Sequence, residues 1–143
     1  MNILTAMSKD HSKCDQIFFE LETEILARNW HSIAAILEKY VVAMEKHFHI
    51  EEDLLFSSFE QITGSTNGPT SLMSFEHSQM RMLFRDIQFA LKNTNEKEML
   101  DTLETLQIMM QQHNMKEENI LYPMLDRFLN QDILESIEKK LSE

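Results

Sequence analysis

An all-α protein, folded as an up-down-up-down four-helix bundle with a short C-terminal helix, is what this sequence predicts, and three observations predict it. Glycine and proline are scarce, two of each in 143 residues, which argues for long uninterrupted helices and against a loop-rich or all-β chain. Apolar residues recur at steps of three and four, the period of a helix face. The chain also repeats itself at a constant offset of 66 residues. His11 returns as His77, His47 as His113 and Glu51 as Glu117, and Met7/Met73, Ser12/Ser78, Phe18/Phe84 and Met44/Met110 keep the same spacing.

The first stripe is Leu4, Met7, His11, Cys14, Phe18, Leu21 and Ile25. Asn29-Trp30-His31-Ser32 offers a cap before the second, which carries Ile33, Leu37, Tyr40, Met44, His47, Glu51, Leu55 and Phe59. Thr63 to Pro69 is the one real linker, and Pro69 is placed to open the third helix, with Met73, His77, Met80, Phe84, Ile87 and Leu91 on its face. Asn93-Thr94-Asn95-Glu96 precedes the fourth, with Met99, Leu103, Leu106, Met110, His113, Glu117, Leu121 and Leu125. Pro123 falls inside that helix and is expected to kink it or change its course; its counterpart in the first half is Ser57. From Asn130 a short amphipathic tail carries Ile133, Leu134, Ile137 and Leu141. Short connections make successive helices antiparallel neighbours. The chain is thus expected to be a single domain, 1–143, of two pseudo-twofold-related helical hairpins (about 1–62 and 69–128) and a C-terminal helix (about 131–142).

Charge and cysteine content narrow the function. A net charge of −11, with carboxylates spread along the chain, reads mainly as a solvated helical surface. It disfavours nucleic acid, which needs a basic stripe. One cysteine, Cys14, rules out an internal disulfide and fits a reducing compartment. His11, Lys13 and Asp15 arrive too soon for a signal peptide, and no apolar run of membrane-spanning length is present. A cytoplasmic protein with no membrane partner is expected.

Where polar residues interrupt the stripes is the informative point. Each stripe is apolar except at His11, His47/Glu51, His77 and His113/Glu117. Burying two carboxylates without a partner costs several kcal/mol each, of the order of magnitude for unpaired ions, or drives their pKa values up. The stripes hold no Lys or Arg to compensate, since Lys46, Arg81 and Lys116 fall off them. Two cations would neutralise the carboxylates and use the imidazoles as neutral donors. His-x3-Glu puts both side chains on one helix face, about a turn apart. Two such helices and one His from each of the others converge mid-bundle, the general construction of dinuclear carboxylate sites. Four imidazoles and two bridging carboxylates leave each metal about five-coordinate once an oxo, hydroxo or water bridge is added. Mixed N/O ligation with open positions suits iron, then manganese, with zinc behind both.

The pattern resembles the hemerythrin-like (HHE) cation-binding domain, from about His11 to Leu129. It rests on Asp10-His11, His47-x3-Glu51-Glu52-x2-Leu55-Phe56, Glu76-His77 and His113-x3-Glu117-Glu118-x2-Leu121-Tyr122-Pro123. The resemblance implies a non-haem di-iron centre in a four-helix bundle. In it His11, His47, His77 and His113 are terminal ligands, and Glu51 and Glu117 bridge the irons. Oxygen-carrying hemerythrins use His-x3-His on the third helix and His-x4-Asp on the fourth. Here Met73 and Arg81 flank His77 at four residues, and the fourth helix has His-x3-Glu. The chain looks closer to the metal domain of di-iron repair proteins associated with nitrosative stress, which have four His and two Glu and usually an additional N-terminal cysteine-bearing domain. A protein that senses, carries or stores a small ligand such as O2 or NO, or iron, is the leading expectation. A di-iron enzyme acting on peroxide or NO or in iron-centre repair, and a metal-stabilised interaction module, are the alternatives. No residue marks an electron-donor site or proton relay, so an enzyme ranks second. The C-terminal helix is the candidate face for a protein partner or a dimer.

Other residues are set aside. His49 faces away from His47, and His31 reads as a cap or surface residue. Cys14, one turn from His11, reads as packing, as do the abundant methionines. Glu52 and Glu118 point about 100° from the ligand face and fit solvent or outer hydrogen-bonding roles. Asp10 and Glu76 could orient imidazoles on neighbouring helices. Tyr40 and Tyr122 could reach a bound ligand, but Tyr40 aligns with Leu106, and neither is counted in the site.

Overall fold

The structure, a computed structural model, describes residues 1–143. It is all helical, without a strand. The helices are α1 (Ile3–Leu26), α2 (Trp30–His49), α3 (Ser57–Thr63), α4 (Pro69–Lys92), α5 (Glu96–Lys116), α6 (Tyr122–Phe128) and α7 (Gln131–Ser142). A π-helical segment, Ile50–Phe56, joins α2 to α3 without a break, and another, Glu117–Leu121, joins α5 to α6. Four long rods result, with α7 as an addition. α1 pairs with α2 and α4 with α5 as antiparallel hairpins, while α1 also meets α5 and α6, and α2 meets α4. This is the expected four-helix bundle.

The two hairpin turns are built alike. α1 and α4 each end in a residue with positive φ that is not glycine, Arg28 (56°) and Thr94 (49°), again 66 apart. The Arg28 N–H donates to Ile25 O at 3.0 Å and the Thr94 N–H to Leu91 O at 2.9 Å. Asn29 and Asn95 then reach back to Glu24 O and Ala90 O at 3.1 and 2.8 Å. Elsewhere the punctuation follows side-chain chemistry. Asn2, Asn95 and Asn130 cap α1, α5 and α7 by accepting from Thr5, Glu98 and Ile133 N–H groups. Gly64 supplies the left-handed stop after α3 (φ 70°), and Pro69 opens α4.

Apolar packing divides into two clusters. One joins Cys14, Phe18, Leu21, Tyr40, Met44, Phe48, Met80, Phe84 and their neighbours towards the hairpin turns. The other joins Ile3, Met7, Ile50, Leu55, Phe59, Met73, Leu121, Tyr122, Leu125, Leu134 and Ile137 at the opposite end. The apolar face of α7 packs on α1 and the first π segment through Leu134 and Ile137. Lys46 Nζ donates to Leu141 O at 3.2 Å. Asp126 closes the same end, its carboxylate accepting from the Ile3 and Leu4 N–H groups at 2.7 and 3.1 Å.

The turn before Pro123 is π-helical, and a proline is not required for such a turn. Both halves carry the π insertion, and the longer one precedes Ser57, where no proline stands. Pro123 occupies the opening of α6, a position where a helix tolerates the missing donor. The insertions fall on Glu51 and Glu117, consistent with the tendency of π turns to mark functional positions. No helix of the molecule is long and apolar enough to cross a membrane.

Candidate metal centre

All six residues singled out by the repeat meet between the two apolar clusters, each at most 4% exposed. They form two groups that share the carboxylates: His11, His47, Glu51 and Glu117 on one side, and Glu51, His77, His113 and Glu117 on the other. Within each group the candidate donor atoms lie within 4.8 Å of one another. Glu117 divides its oxygens, Oε1 lying 3.2 Å from His11 Nε2 and Oε2 3.3 Å from His113 Nε2. Glu51 Oε1 lies 3.0 Å from His77 Nε2 and 3.4 Å from His47 Nε2.

Every imidazole is oriented through its other nitrogen. Asp10 takes His47 Nδ1 at 2.8 Å, and the equivalent Glu76 takes His113 Nδ1 at 2.8 Å. Glu118 takes His11 Nδ1 at 2.6 Å, and Glu52 takes His77 Nδ1 at 2.6 Å. The first two bonds lie inside a hairpin and the second two cross between hairpins, so the scheme repeats about the pseudo-twofold axis. Such bonds leave the Nε2 lone pairs facing inward and raise their basicity, the arrangement that metal-binding imidazoles use. The outer role of Glu52 and Glu118 and the orienting role of Asp10 and Glu76 are both present. The basic residues that the stripes excluded act one layer further out. Arg81 donates to Glu52 at 2.9 and 3.2 Å and to Glu45 at 2.6 Å, and Lys116 donates to Glu76 at 2.5 Å.

The inner face lacks such compensation. Glu51 Oε1, Glu117 Oε2, His77 Nε2 and His113 Nε2 are buried without a hydrogen-bond partner. Buried polar atoms are nearly always paired, so four converging orphans fit a cation. Without one, burial and the facing Glu117 carboxylate push the Glu51 pKa up. Burial would lower the pKa of His11, but Glu117, Glu51 and Glu118 outweigh it and lift it to about 9. The same balance, with Glu51 and Glu52 as the chief partners, lifts His77 to about 9. The residues present therefore suit a pair of divalent or trivalent ions, as nitrogen and oxygen donors in a water-poor layer.

One inner residue lies outside the six that the repeat singles out. The Tyr122 phenol is fully buried and donates to Glu51 Oε2 at 2.7 Å. Its oxygen is also 3.1 Å from Glu117 Oε1, 3.1 Å from His11 Nε2 and 3.5 Å from His47 Nε2. On an α-helix, Tyr122 would point about 140° from Glu117. The intervening π turn brings residues five apart onto one face, and that insertion has no signature in the apolar periodicity. Tyr40 is buried among Phe18 and Phe84 in the apolar cluster near the turns. His49 is exposed beside Asp53, and His31 is exposed. Cys14 is buried, and burial, with Asp10 and Asp15 nearby, pushes its thiol pKa up to about 12, the condition of an inert packing cysteine. A cleft of about 540 Å³ between α1 and α5 is lined by Asp15, Phe18, Gln111, Asn114 and Glu118 among others.

Bundle and centre together define a helical metal-binding protein with a shared His/Glu donor layer. The chain matches the model of the family described as the hemerythrin HHE cation binding domain over residues 2–125, and it belongs to that family: it is a metal-binding protein of hemerythrin type. No curated protein and no solved structure gives a significant match.

Proposed function

We propose that this protein holds two iron ions between its hairpins and uses them to sense, carry or store a small ligand such as O2 or NO, or iron itself. His11 and His47 would hold one ion, His77 and His113 the other, and Glu51 and Glu117 would bridge them. The observation that carries this reading is the pair of four-donor groups sharing two buried carboxylates, four of whose inward atoms have no other partner. Bound iron supplies a redox change and open coordination positions for a small ligand. The chain supplies the rest. Asp10, Glu52, Glu76 and Glu118 fix the imidazoles, and the apolar clusters on either side exclude water.

A second reading has one observation in its favour. Tyr122 holds a proton inside the donor layer, bonded to Glu51, and so offers the proton-holding group that an enzyme reducing peroxide or NO needs. Anaerobic loading with ferrous iron, followed by metal analysis and exposure to O2 or NO, tests both. About two irons per chain and a reversible absorption change support the carrier or sensor. Catalytic consumption of peroxide or NO with a reductant supports the enzyme. Failure to bind iron, with a melting temperature indifferent to chelator, overturns the di-iron reading itself.

A further inference from the structure

The halves of the centre are not equivalent, and the difference is concentrated at one atom. Tyr122 Oη lies between 2.7 and 3.5 Å from four donor atoms at once: Glu51 Oε2, Glu117 Oε1, His11 Nε2 and His47 Nε2. Metal–nitrogen and metal–oxygen bonds of roughly 2.0–2.2 Å put neighbouring donors of one coordination shell about 3 Å apart. The phenol oxygen thus keeps the spacing of a fifth donor. An outer residue touches only the far nitrogen of one imidazole, as Asp10 touches His47 Nδ1. The ring is fully packed, with Tyr122 wholly buried and its centroid 5.6 Å from that of His11. On the other side Phe56 occupies the equivalent place, stacked at 5.9 Å on His77, and brings no oxygen. Both inward nitrogens of that second side, His77 Nε2 and His113 Nε2, are orphaned, whereas both inward nitrogens of the first side face the phenol.

Charge further out follows the same division. The carboxylates behind His77 and His113 are paired with Arg81 and Lys116. Counting back 66 residues puts Asp15 and Ile50 where Arg81 and Lys116 stand. Asp10 and Glu118, behind His47 and His11, have no ion pair with Lys or Arg, and Lys13 acts on Asp10 only at longer range. The His11/His47 side therefore carries more uncompensated negative charge.

We propose that Tyr122 is a direct ligand of the metal at the His11/His47 position, which makes that position the seat of a hard trivalent ion and leaves the His77/His113 position to a divalent one. This rests on the dinuclear reading above. On binding, the phenol O–H bond is replaced by an oxygen–metal bond and the proton leaves to solvent; no oxidation state changes in that step.

The protein has only two tyrosines, so Tyr40→Phe provides a background in which Tyr122 is the sole phenol. In that background, titration of metal-free protein with gallium(III), which has no colour of its own, is expected to give the ultraviolet difference band of one tyrosinate. Ferric loading is expected to give a visible phenolate-to-iron charge-transfer band with phenolate Raman modes. In Tyr122→Phe both signals should be lost entirely while iron still binds; Phe56 shows that a phenyl ring fits the equivalent place. Iron bound without any phenolate signal in the parent protein overturns the ligand assignment and leaves the dinuclear reading standing. The same holds if the signal persists in Tyr122→Phe. Absence of iron and gallium binding in every variant overturns both.

Discussion

At the scale of single residues, the centre shows which side-chain properties a sequence displays and which it conceals. The four histidines and two glutamates were legible because buried polar residues are costly, and their placement on apolar stripes is visible without coordinates. Asp10 and Glu76 were legible in part, as neighbours of histidines. The inward direction of Tyr122 was not, because a π turn rotates it by an amount that α-helical arithmetic does not contain. Membership of both donor groups makes Glu51 the residue to test. Glu51→Gln keeps the volume and removes the charge shared by both groups, so iron content should fall from about two per chain to one or fewer. Metal analysis of the purified variant checks this, and an unchanged stoichiometry would remove Glu51 from the centre.

At the scale of helices and turns, the repeat specifies more than ligands. The turns at Arg28 and Thr94 share a left-handed residue and the same two backbone hydrogen bonds, although Arg and Thr have nothing in common chemically. Left-handed geometry costs a non-glycine residue roughly 1–2 kcal/mol, and a β-branched side chain suits it least. Thr94→Gly should therefore stabilise the protein by about 1 kcal/mol after glycine's own entropy cost. For a chain of this length that is about 3 °C in melting temperature, read by calorimetry; a fall would show that the turn is not strained. The helix boundaries at Pro69 and Asn130 were plain in the sequence, since proline and asparagine act through local chemistry. The π segments were hidden. Ile50–Phe56 and Glu117–Leu121 are set by what the carboxylates must reach on other helices, which is tertiary information.

At the scale of the whole molecule, the donor layer ties stability to protons and metal. His11 and His77 are lifted from 6.5 to about 9. A raised pKa means that the folded state holds protons which the unfolded state releases. Their contribution is complete below about pH 6.5 and is lost as pH rises through 9. Chelated protein should therefore melt progressively lower between those limits. Metal-loaded protein should not follow it, because cations replace the protons and favour deprotonated donors. Parallel melting curves of the two forms across this range check the prediction. The fold class was legible as a whole because two glycines, two prolines and an unbroken helical period leave few alternatives. The division of the core into two clusters was not, since a stripe does not show where its apolar contacts are interrupted.

That division has a consequence for motion. In most helices the ends open first and the middle last, because the middle is packed on both flanks. Here the apolar clusters grip the rods near both ends, and the middle depends on a layer whose inward atoms want a cation. Metal-free protein should therefore loosen at its waist: amides around His47–Glu51 and His113–Glu117 should exchange with deuterium sooner than those near Leu21 or Leu125. Metal should restore the ordinary order. The bundle would behave as two small proteins riveted at a seam, with the metals as the rivets.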